Sequence, residues 1–249
     1  MAENKKGKLN TNTNTYTIAF AAMVVIIVAF LLSFVSIYLK PRQEVNIALD
    51  KKKQILAALN IRDLSDTEAS EKYNEVILSD DIINSQNELI EKGTKGGENA
   101  GFKLNSSDTK AGRLALYVCN INGKRKFVIP VYGMGLWGPI SGYISLDDDL
   151  NTIYGAYFTH ESETAGLGAE IKDNRAWQNQ FQGKKLTKKG RDGIALEVVK
   201  KNEVKDPTVQ CDAVTGATLT SDGVSAMLKD CLSKYSNFLK DRKLDNADK

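Results

Sequence analysis

The sequence predicts an α+β protein: an antiparallel sheet domain with flanking helices, preceded by one N-terminal transmembrane helix. Three observations lead to this fold class. An uncharged apolar stretch lies near the N-terminus, strand patterns joined by turn signals fill the middle of the chain, and a long helical pattern lies near its end. Strands in the middle with helices on both sides are typical of an α+β domain.

The apolar stretch is long enough to cross a membrane. No charged residue occurs between Lys8 and Lys40, and the segment "IAFAAMVVIIVAFLLSFVSIYL" would span roughly 33 Å as a helix, against a hydrocarbon core of ~30 Å. A cleaved signal peptide would have a shorter apolar core and a small-residue cleavage site, and "SIYLKPR" offers none. We therefore predict a short tail over residues 1–15 and an uncleaved transmembrane helix over residues 16–39.

The charges on the two sides of this helix leave its orientation open. Both flanks are basic, so the bias of lysine and arginine towards the cytoplasm decides little. The residues compared are Lys5, Lys6 and Lys8 before the helix and Lys40, Arg42 and Lys51–Lys53 after it.

Helical patterns continue beyond the membrane. "VNIALDKKKQILAALNI" (Val45–Ile61) has apolar residues at helical spacing, and Ser65 with Glu68 predicts a capping box for a second helix through about Leu78. The Gly-rich stretch Glu91–Gly101 is typical of a loop. We assign residues 40–100 to a membrane-proximal helical segment and residues 101–249 to the sheet domain.

Strand patterns then predict two hairpins. "LALYVCNI" and "KFVIPVY" flank Asn122-Gly123, a strong hairpin turn, and "ISGYISL" and "TIYGAYFTH" flank "DDDLN". "NRAWQNQFQG" indicates a short helix ended by Gly183, and "IALEVV" indicates one more strand. The final helix has apolar residues at i, i+3, i+4 and i+7, namely Val224, Met227, Leu228, Cys231, Leu232, Tyr235, Phe238 and Leu239.

The composition excludes several function classes. The net charge is +3 and no basic stretch is interleaved with aromatic residues, so we expect no nucleic-acid partner. Three distant cysteines without CxxC spacing and a single histidine, His160, argue against a disulfide scaffold and against a zinc site, and we expect no metal.

The segment "DAVTGATLTS" (212–221) places small hydroxyl residues at the start of the final helix. A helix N-terminus exposes unpaired N–H groups and the positive end of the helix dipole, and both attract phosphate. Ser, Thr and Asp are also the usual capping residues of helices. From the residues alone, a phosphate cradle and simple helix capping both remain open.

Two other segments are rich in glycine. "THESETAGLGAE" follows a strand. "YGMGLWGPISGY" contains Trp137 among Gly133, Gly135 and Gly138, and the indole ring could cover a planar ligand. Phosphate site, small residues and aromatic surface are together the parts that a flavin mononucleotide needs.

The three segments together resemble the FMN-binding domain family. "DAVTGAT" is similar to the flavin-attachment pattern D-x-x-(S/T)-G-A-T. "HESETAGLG" resembles H-x-E-T-P-G-L-G, with Ser162 inserted and Ala165 in place of proline. "YGMGLWGPISGY" resembles a loop of the C subunits of Na+-translocating NADH:quinone oxidoreductases. The resemblance implies covalent FMN, linked through its phosphate to Thr218 by a flavin transferase. It further implies that residues 101–249 are the FMN-binding domain. The transferase would recognise four residues that also shape the turn: Asp212, Thr215, Gly216 and Ala217. Thr220 and Ser221 would hold the phosphate, and Trp137, Glu163, Thr164, Leu167 and Gly168 would surround the flavin.

The same resemblance implies a role. The flavin would relay electrons inside a multisubunit complex of the bacterial inner membrane, with the FMN domain on the periplasmic side, no acid–base residue and no independent catalytic activity. The related G subunit of the Rnf complex is the nearest alternative. A hydrolase using Thr218 or Ser221 with His160, and an anchored binding domain without flavin, are alternatives from other classes.

Overall fold

The first helix contains the apolar stretch. The computed structural model describes residues 11 and 13–240, so most of the predicted tail and the last nine residues lie outside the described part. Helix α1 runs over Asn14–Ala58, and its side chains between residues 18 and 40 are exposed. It is long and apolar enough to cross a membrane, in agreement with the predicted span.

Residues 49–240 form a compact unit around a six-stranded sheet. The strands are β1 (Ile77–Ile83), β2 (Leu89–Glu91), β3 (Leu114–Ile121), β4 (Lys124–Met134), β5 (Pro139–Asp147) and β6 (Ile153–His160). Their order is β2-β1-β3-β4-β5-β6 and every neighbouring pair is antiparallel. Strands β7 (Glu197–Val199) and β8 (Gln210–Asp212) form a separate parallel pair.

Short helices and one long helix complete the unit. They are α2 (Asp66–Val76), a 3-10 turn (Gly101–Lys103), α3 (Ser106–Lys110), α4 (Glu170–Asp173), α5 (Arg175–Asn179), α6 (Thr218–Lys234) and α7 (Ser236–Lys240). The predicted α+β class with an antiparallel sheet is confirmed. The predicted final helix is divided in two, because Tyr235 has φ −92° and ψ 11° and ends α6.

Turn and cap signals in the sequence are found where they were predicted. Asn122 and Gly123 have φ of 52° and 78°, as a two-residue hairpin turn between β3 and β4 requires. Ser65 and Glu68 make both bonds of a capping box at the start of α2. Local chemistry therefore fixes these boundaries.

Strands β1 and β2 were missed by the sequence analysis, which assigned their residues to a helical segment and a loop. Strand β1 pairs with β3, so the sheet extends across the division placed at residue 100. The strand "ILSDDII" contains two aspartates, and Asp80 is completely buried. Its Oδ2 accepts hydrogen bonds from the backbone N–H groups of Ala100 and Phe102, at 2.8 and 3.0 Å. A buried aspartate that is held by distant backbone through one oxygen gives no strand signal in the local sequence.

The end of α1 is attached to the sheet unit by three consecutive lysines. Lys51 Nζ donates to the carbonyls of Phe102 and Leu104, and burial lowers the pKa of Lys51 to about 8. Lys52 pairs with Glu98 at 2.6 Å, and Lys53 pairs with Asp66 at 2.6 Å. This lysine run therefore binds three different parts of the folded unit.

Helix α6 packs against β4 and carries much of the core. A Cβ on Gly133 of β4 would lie 2.6 Å from Cβ of Met227, so the helix approaches the strand closely. The Cys231 thiol donates to the carbonyl of Tyr132 at 3.3 Å, and the Tyr235 hydroxyl donates to the carbonyl of Ala115 at 2.8 Å. As predicted, Cys231 is a packing residue. The close contact places the start of α6 beside the loops at one end of β4, β5 and β6.

Candidate flavin site

The attachment motif forms the turn between β8 and α6. Thr218 is the first residue of α6 and its side chain is exposed. The N-cap residue is Ala217, and no side chain makes a capping bond there. The first N–H groups of a helix have no acceptor within the helix. Simple helix capping therefore does not explain the hydroxyl-rich motif, and the helix start is open to an anion.

Two residues of the motif hold the turn in shape. Oγ of Ser221, which is fully buried, accepts a bond from the backbone N–H of Val214 at 3.0 Å. The carboxylate of Asp212 accepts from the backbone N–H of Asn202 at 2.8 Å. Gly216 has φ 76°, a conformation that favours glycine. The structure thus assigns Ser221 to the interior of the turn, and a phosphate contact through its hydroxyl has no support in this geometry.

Lys201 reaches the same turn from a loop, and the sequence analysis missed it. Its Nζ donates to Oγ1 of Thr215 at 2.7 Å. Both side chains are exposed. The Asp212–Asn202 bond holds the loop that carries Lys201, and so places a positive charge beside the helix start. No local pattern marks this lysine among the many surface lysines of the chain.

Glu163 joins the three predicted segments. One carboxylate oxygen, Oε1, accepts from the backbone N–H of Trp137 at 2.9 Å, and the other, Oε2, accepts from the Thr220 hydroxyl at 2.6 Å. Glu163 is only 7% exposed and Thr220 is 1% exposed. The hydroxyl of Thr220, like that of Ser221, is therefore used inside the protein, and its implied phosphate contact has no support either.

The carboxyl of Glu163 has a lowered pKa. Burial raises this pKa, but the bonds from Thr220 and from the backbone N–H groups of Trp137, Gly138 and Leu136 lower it further than burial raises it. Hydrogen bonds to the charged form favour that form. Glu163 is therefore a carboxylate over the physiological pH range.

Two glycines make room for this carboxylate. A Cβ on Gly135 would lie 2.4 Å from Oε1, and a Cβ on Gly168 would lie 2.3 Å from Oε2 and 2.6 Å from Oγ1 of Thr220. Any other residue at these positions would meet the carboxylate. One glycine in each of the two loop segments is thus explained by one buried side chain.

An exposed apolar surface surrounds the open helix start. Trp137 is 67% exposed and Leu167 is 44% exposed, as expected for residues that cover a ring. Leu167 also lies against the turn, because its Cδ2 would be 3.0 Å from a Cβ on Gly216. Three further exposed residues, which the sequence analysis missed, belong to the same segments: Met134, Leu136 and Leu219. Exposed apolar side chains on several adjoining segments are typical of a binding site.

The remaining predicted residues are divided between surface and interior. Thr164 is exposed, and its carbonyl accepts the backbone N–H groups of Leu167 and Ala169, both at 3.1 Å. Gly168 is buried. His160 accepts the backbone N–H of Glu163 through Nδ1 at 3.2 Å. Within the described part of the chain it makes no hydrogen bond to Thr218 or Ser221, so the hydrolase alternative gains no support from the geometry.

These residues fit a flavin mononucleotide. A phosphate suits the uncapped helix start beside Lys201, and an apolar ring suits Trp137 and Leu167. An exposed Thr218 hydroxyl lies where the two regions meet, at the first residue of α6. The donor set is therefore consistent with covalent attachment at that residue.

Comparison with known proteins agrees with this site. The family of FMN-binding domains matches residues 135–233, which include parts of all three segments. The chain is 29% identical over 237 residues to the C subunit of the Na(+)-translocating NADH-quinone reductase of Haemophilus ducreyi, covering 89% of this chain and 91% of that protein.

Solved structures that are similar to the chain include two C-subunit proteins. The crystal structure of the C subunit of the Na(+)-translocating NADH-quinone reductase from Parabacteroides distasonis has a TM-score of 0.74 and 37% identity, covering 82% of this chain and 98% of that one. The structure of Shewanella oneidensis NqrC has a TM-score of 0.65 at 22% identity, covering 80% and 99% of the two chains, and supports the fold.

Proposed function

The chain belongs to the family of C subunits of the Na(+)-translocating NADH-quinone reductase, and on this premise we propose that it carries FMN covalently on Thr218, as a phosphoester, and relays electrons within that complex. The long apolar helix supports a single-pass anchor in the bacterial inner membrane. The periplasmic side of the FMN domain is proposed from the resemblance to the C subunits alone. The chain has no independent catalytic activity.

The uncapped start of α6 is the observation that carries this proposal. The helix begins at an exposed threonine after an alanine N-cap, so its free N–H groups and dipole favour a phosphate next to the Thr218 hydroxyl. Lys201 adds a positive charge through Thr215. An ordinary helix start in a soluble domain would use its hydroxyls for capping, and this one does not.

The protein supplies position and environment to the cofactor. FMN, when bound, supplies the redox chemistry. Attachment at Thr218 through the phosphate would leave the ring system free, and Trp137 and Leu167 would contact it. An exposed site would bind FMN weakly by non-covalent contacts alone, and the covalent bond would keep the cofactor there.

Electrons must come from and go to other subunits. The pattern G-x-G-x-x-G occurs at residues 133–138, but it joins two antiparallel strands and opens no helix, so it is not a dinucleotide-binding fingerprint. The three cysteines lack the spacing of an iron–sulfur cluster site. The partners are therefore subunits of the same membrane complex, together with a flavin transferase during maturation. An anchor that keeps the domain at the membrane holds it within reach of these partners.

The test is Thr218→Ala in the full chain, made together with the flavin transferase. We expect the wild-type intact mass to exceed the chain mass by one FMN less one water, and the mutant to lack this increment while keeping the same circular dichroism. Ser233→Ala is the matched control, since it removes an exposed hydroxyl at the other end of α6, outside the motif, and should keep the flavin. An FMN increment that persists in Thr218→Ala would disprove the assignment.

A second measurement tests the relay. In membranes that contain the whole complex, Thr218→Ala should stop quinone reduction while NADH oxidation with an artificial acceptor continues. Normal quinone reduction by this variant would show that the flavin is not on the electron path.

A further inference from the structure

We propose that Glu163 is a positioning residue, which fixes the loop of Trp137 to the first turn of α6 and so sets where the indole stands relative to the Thr218 attachment point. This inference rests on the proposed function, because it concerns the geometry of the same flavin site. It replaces the role implied by resemblance, in which Glu163 lines the flavin.

The contacts of Glu163 point inward in two directions. One oxygen accepts from the backbone of Trp137 at 2.9 Å and the other from Thr220 at 2.6 Å. With 7% of its surface exposed, the side chain has little area left for a cofactor. A buried carboxylate whose two oxygens bind two different elements joins those elements.

Trp137 needs such a support because its own side chain supplies none. The indole is 67% exposed, so packing does not hold it. The position of the ring therefore follows the backbone, which is fixed by the Gly135–Gly138 turn bond of 2.8 Å and by the carboxylate of Glu163. Binding groups that lie on loops are placed accurately only when a second layer of contacts holds them.

The path from the attachment point to the indole is short. Thr218 and Thr220 lie in the same first turn of α6, Thr220 binds Glu163, and Glu163 binds the backbone of Trp137. The hydrogen bonds from Thr220 and from the backbone of the Trp137 loop favour the ionised form of the carboxyl, which keeps the connection tight. Loss of the carboxylate leaves the indole loop joined to α6 by weaker contacts.

Flavin fluorescence reports this geometry independently of activity, because an indole in contact with a flavin quenches its emission. The full chain is made with the flavin transferase, purified in detergent, and its emission is normalised to covalent flavin by absorbance and intact mass. We expect weak emission from the wild type and several-fold stronger emission from Trp137→Phe and from Glu163→Ala. Glu163→Gln should recover most of the quenching, because its oxygen can accept from Trp137 while its amide donates to Thr220.

Two controls separate positioning from other effects. Glu161→Ala removes an exposed carboxylate of the same loop and should leave emission unchanged. In the Trp137→Phe background, Glu163→Ala should add no further emission. Unchanged quenching in Glu163→Ala, or an equal rise in both backgrounds, would overturn the proposal.

A readout without flavin keeps the proposal testable in every case. Thr220→Val breaks the connection from the helix side with little change of volume, and it should accelerate amide hydrogen exchange at residues 136–138 in the apo protein, as should Glu163→Ala. Unchanged exchange in both variants would contradict the proposal. Absence of the FMN mass increment in the wild type would disprove the proposed function alone, and it would leave the exchange measurement to decide the role of Glu163.

Discussion

Replacing Gly223 by alanine should destabilise the protein although alanine is the better helix former. Gly223 lies in the second turn of α6, where a Cβ would be 2.3 Å from the carbonyl oxygen of Met134 and 3.3 Å from Cα of Gly135. Ordinary C···O contacts are about 3.3 Å, so the helix and the loop must separate by about 1 Å. The obstacle is backbone, which cannot rotate away as a side chain can.

The magnitude follows from two opposing terms. Overpacking against a fixed group costs up to about 3 kcal/mol. Alanine gains about 1 kcal/mol over glycine within a helix. The net loss for Gly223→Ala is therefore about 2 kcal/mol, or about 4 to 8 °C in Tm for a domain of this size.

Thermal unfolding of the apo full chain in detergent, followed by near-ultraviolet circular dichroism, measures this loss. Ala226→Gly, at an exposed position of the same helix, calibrates the propensity term and should cost about 1 kcal/mol. If Gly223→Ala melts at or above the wild-type temperature, propensity alone governs the position and the close approach of α6 to the β4–β5 loop carries no energetic weight.

The remaining predictions concern Lys51 and membrane topology. Burial lowers the pKa of Lys51 from 10.5 to about 8, so the unfolded chain binds one more proton than the folded chain between these pH values. The free energy of unfolding of the wild type, relative to that of Lys51→Met, should therefore rise from pH 8 to 10.5. Urea titrations in which this difference stays constant with pH would contradict the burial of the ammonium group. Protease added to intact spheroplasts should digest the flavin domain, and full protection alongside cytoplasmic markers would reject the periplasmic orientation.

The elements that the sequence predicted well have local causes. The β3–β4 hairpin follows from Asn122-Gly123, and the start of α2 follows from the capping box of Ser65 and Glu68. Strand β1 could not be predicted, because the partners of Asp80 lie 20 and 22 residues further along the chain. The residues next to Asp80 in the sequence do not show that distant backbone N–H groups will bind its carboxylate, so they do not predict that it is buried in a strand.

The candidate site shows the same division. The motif located the turn, and the exposed position of Thr218 agrees with its predicted role as acceptor, which stays a prediction. The inward use of the Thr220, Ser221 and Glu163 side chains depends on how loops meet in three dimensions. Lys201 lies outside every motif, so only the folded loop shows that it reaches the turn.

The docking of α6 has a consequence for the order of assembly. Strands β3 to β6 pair with their sequence neighbours, whereas the contacts of α6 join residues that are 57, 99 and 120 positions apart in the chain. Contacts between distant residues form late, since the loop-closure entropy must be overcome first. A nascent or misfolded chain therefore contains the attachment motif but lacks the shaped turn, the aromatic surface and the buried carboxylate around it.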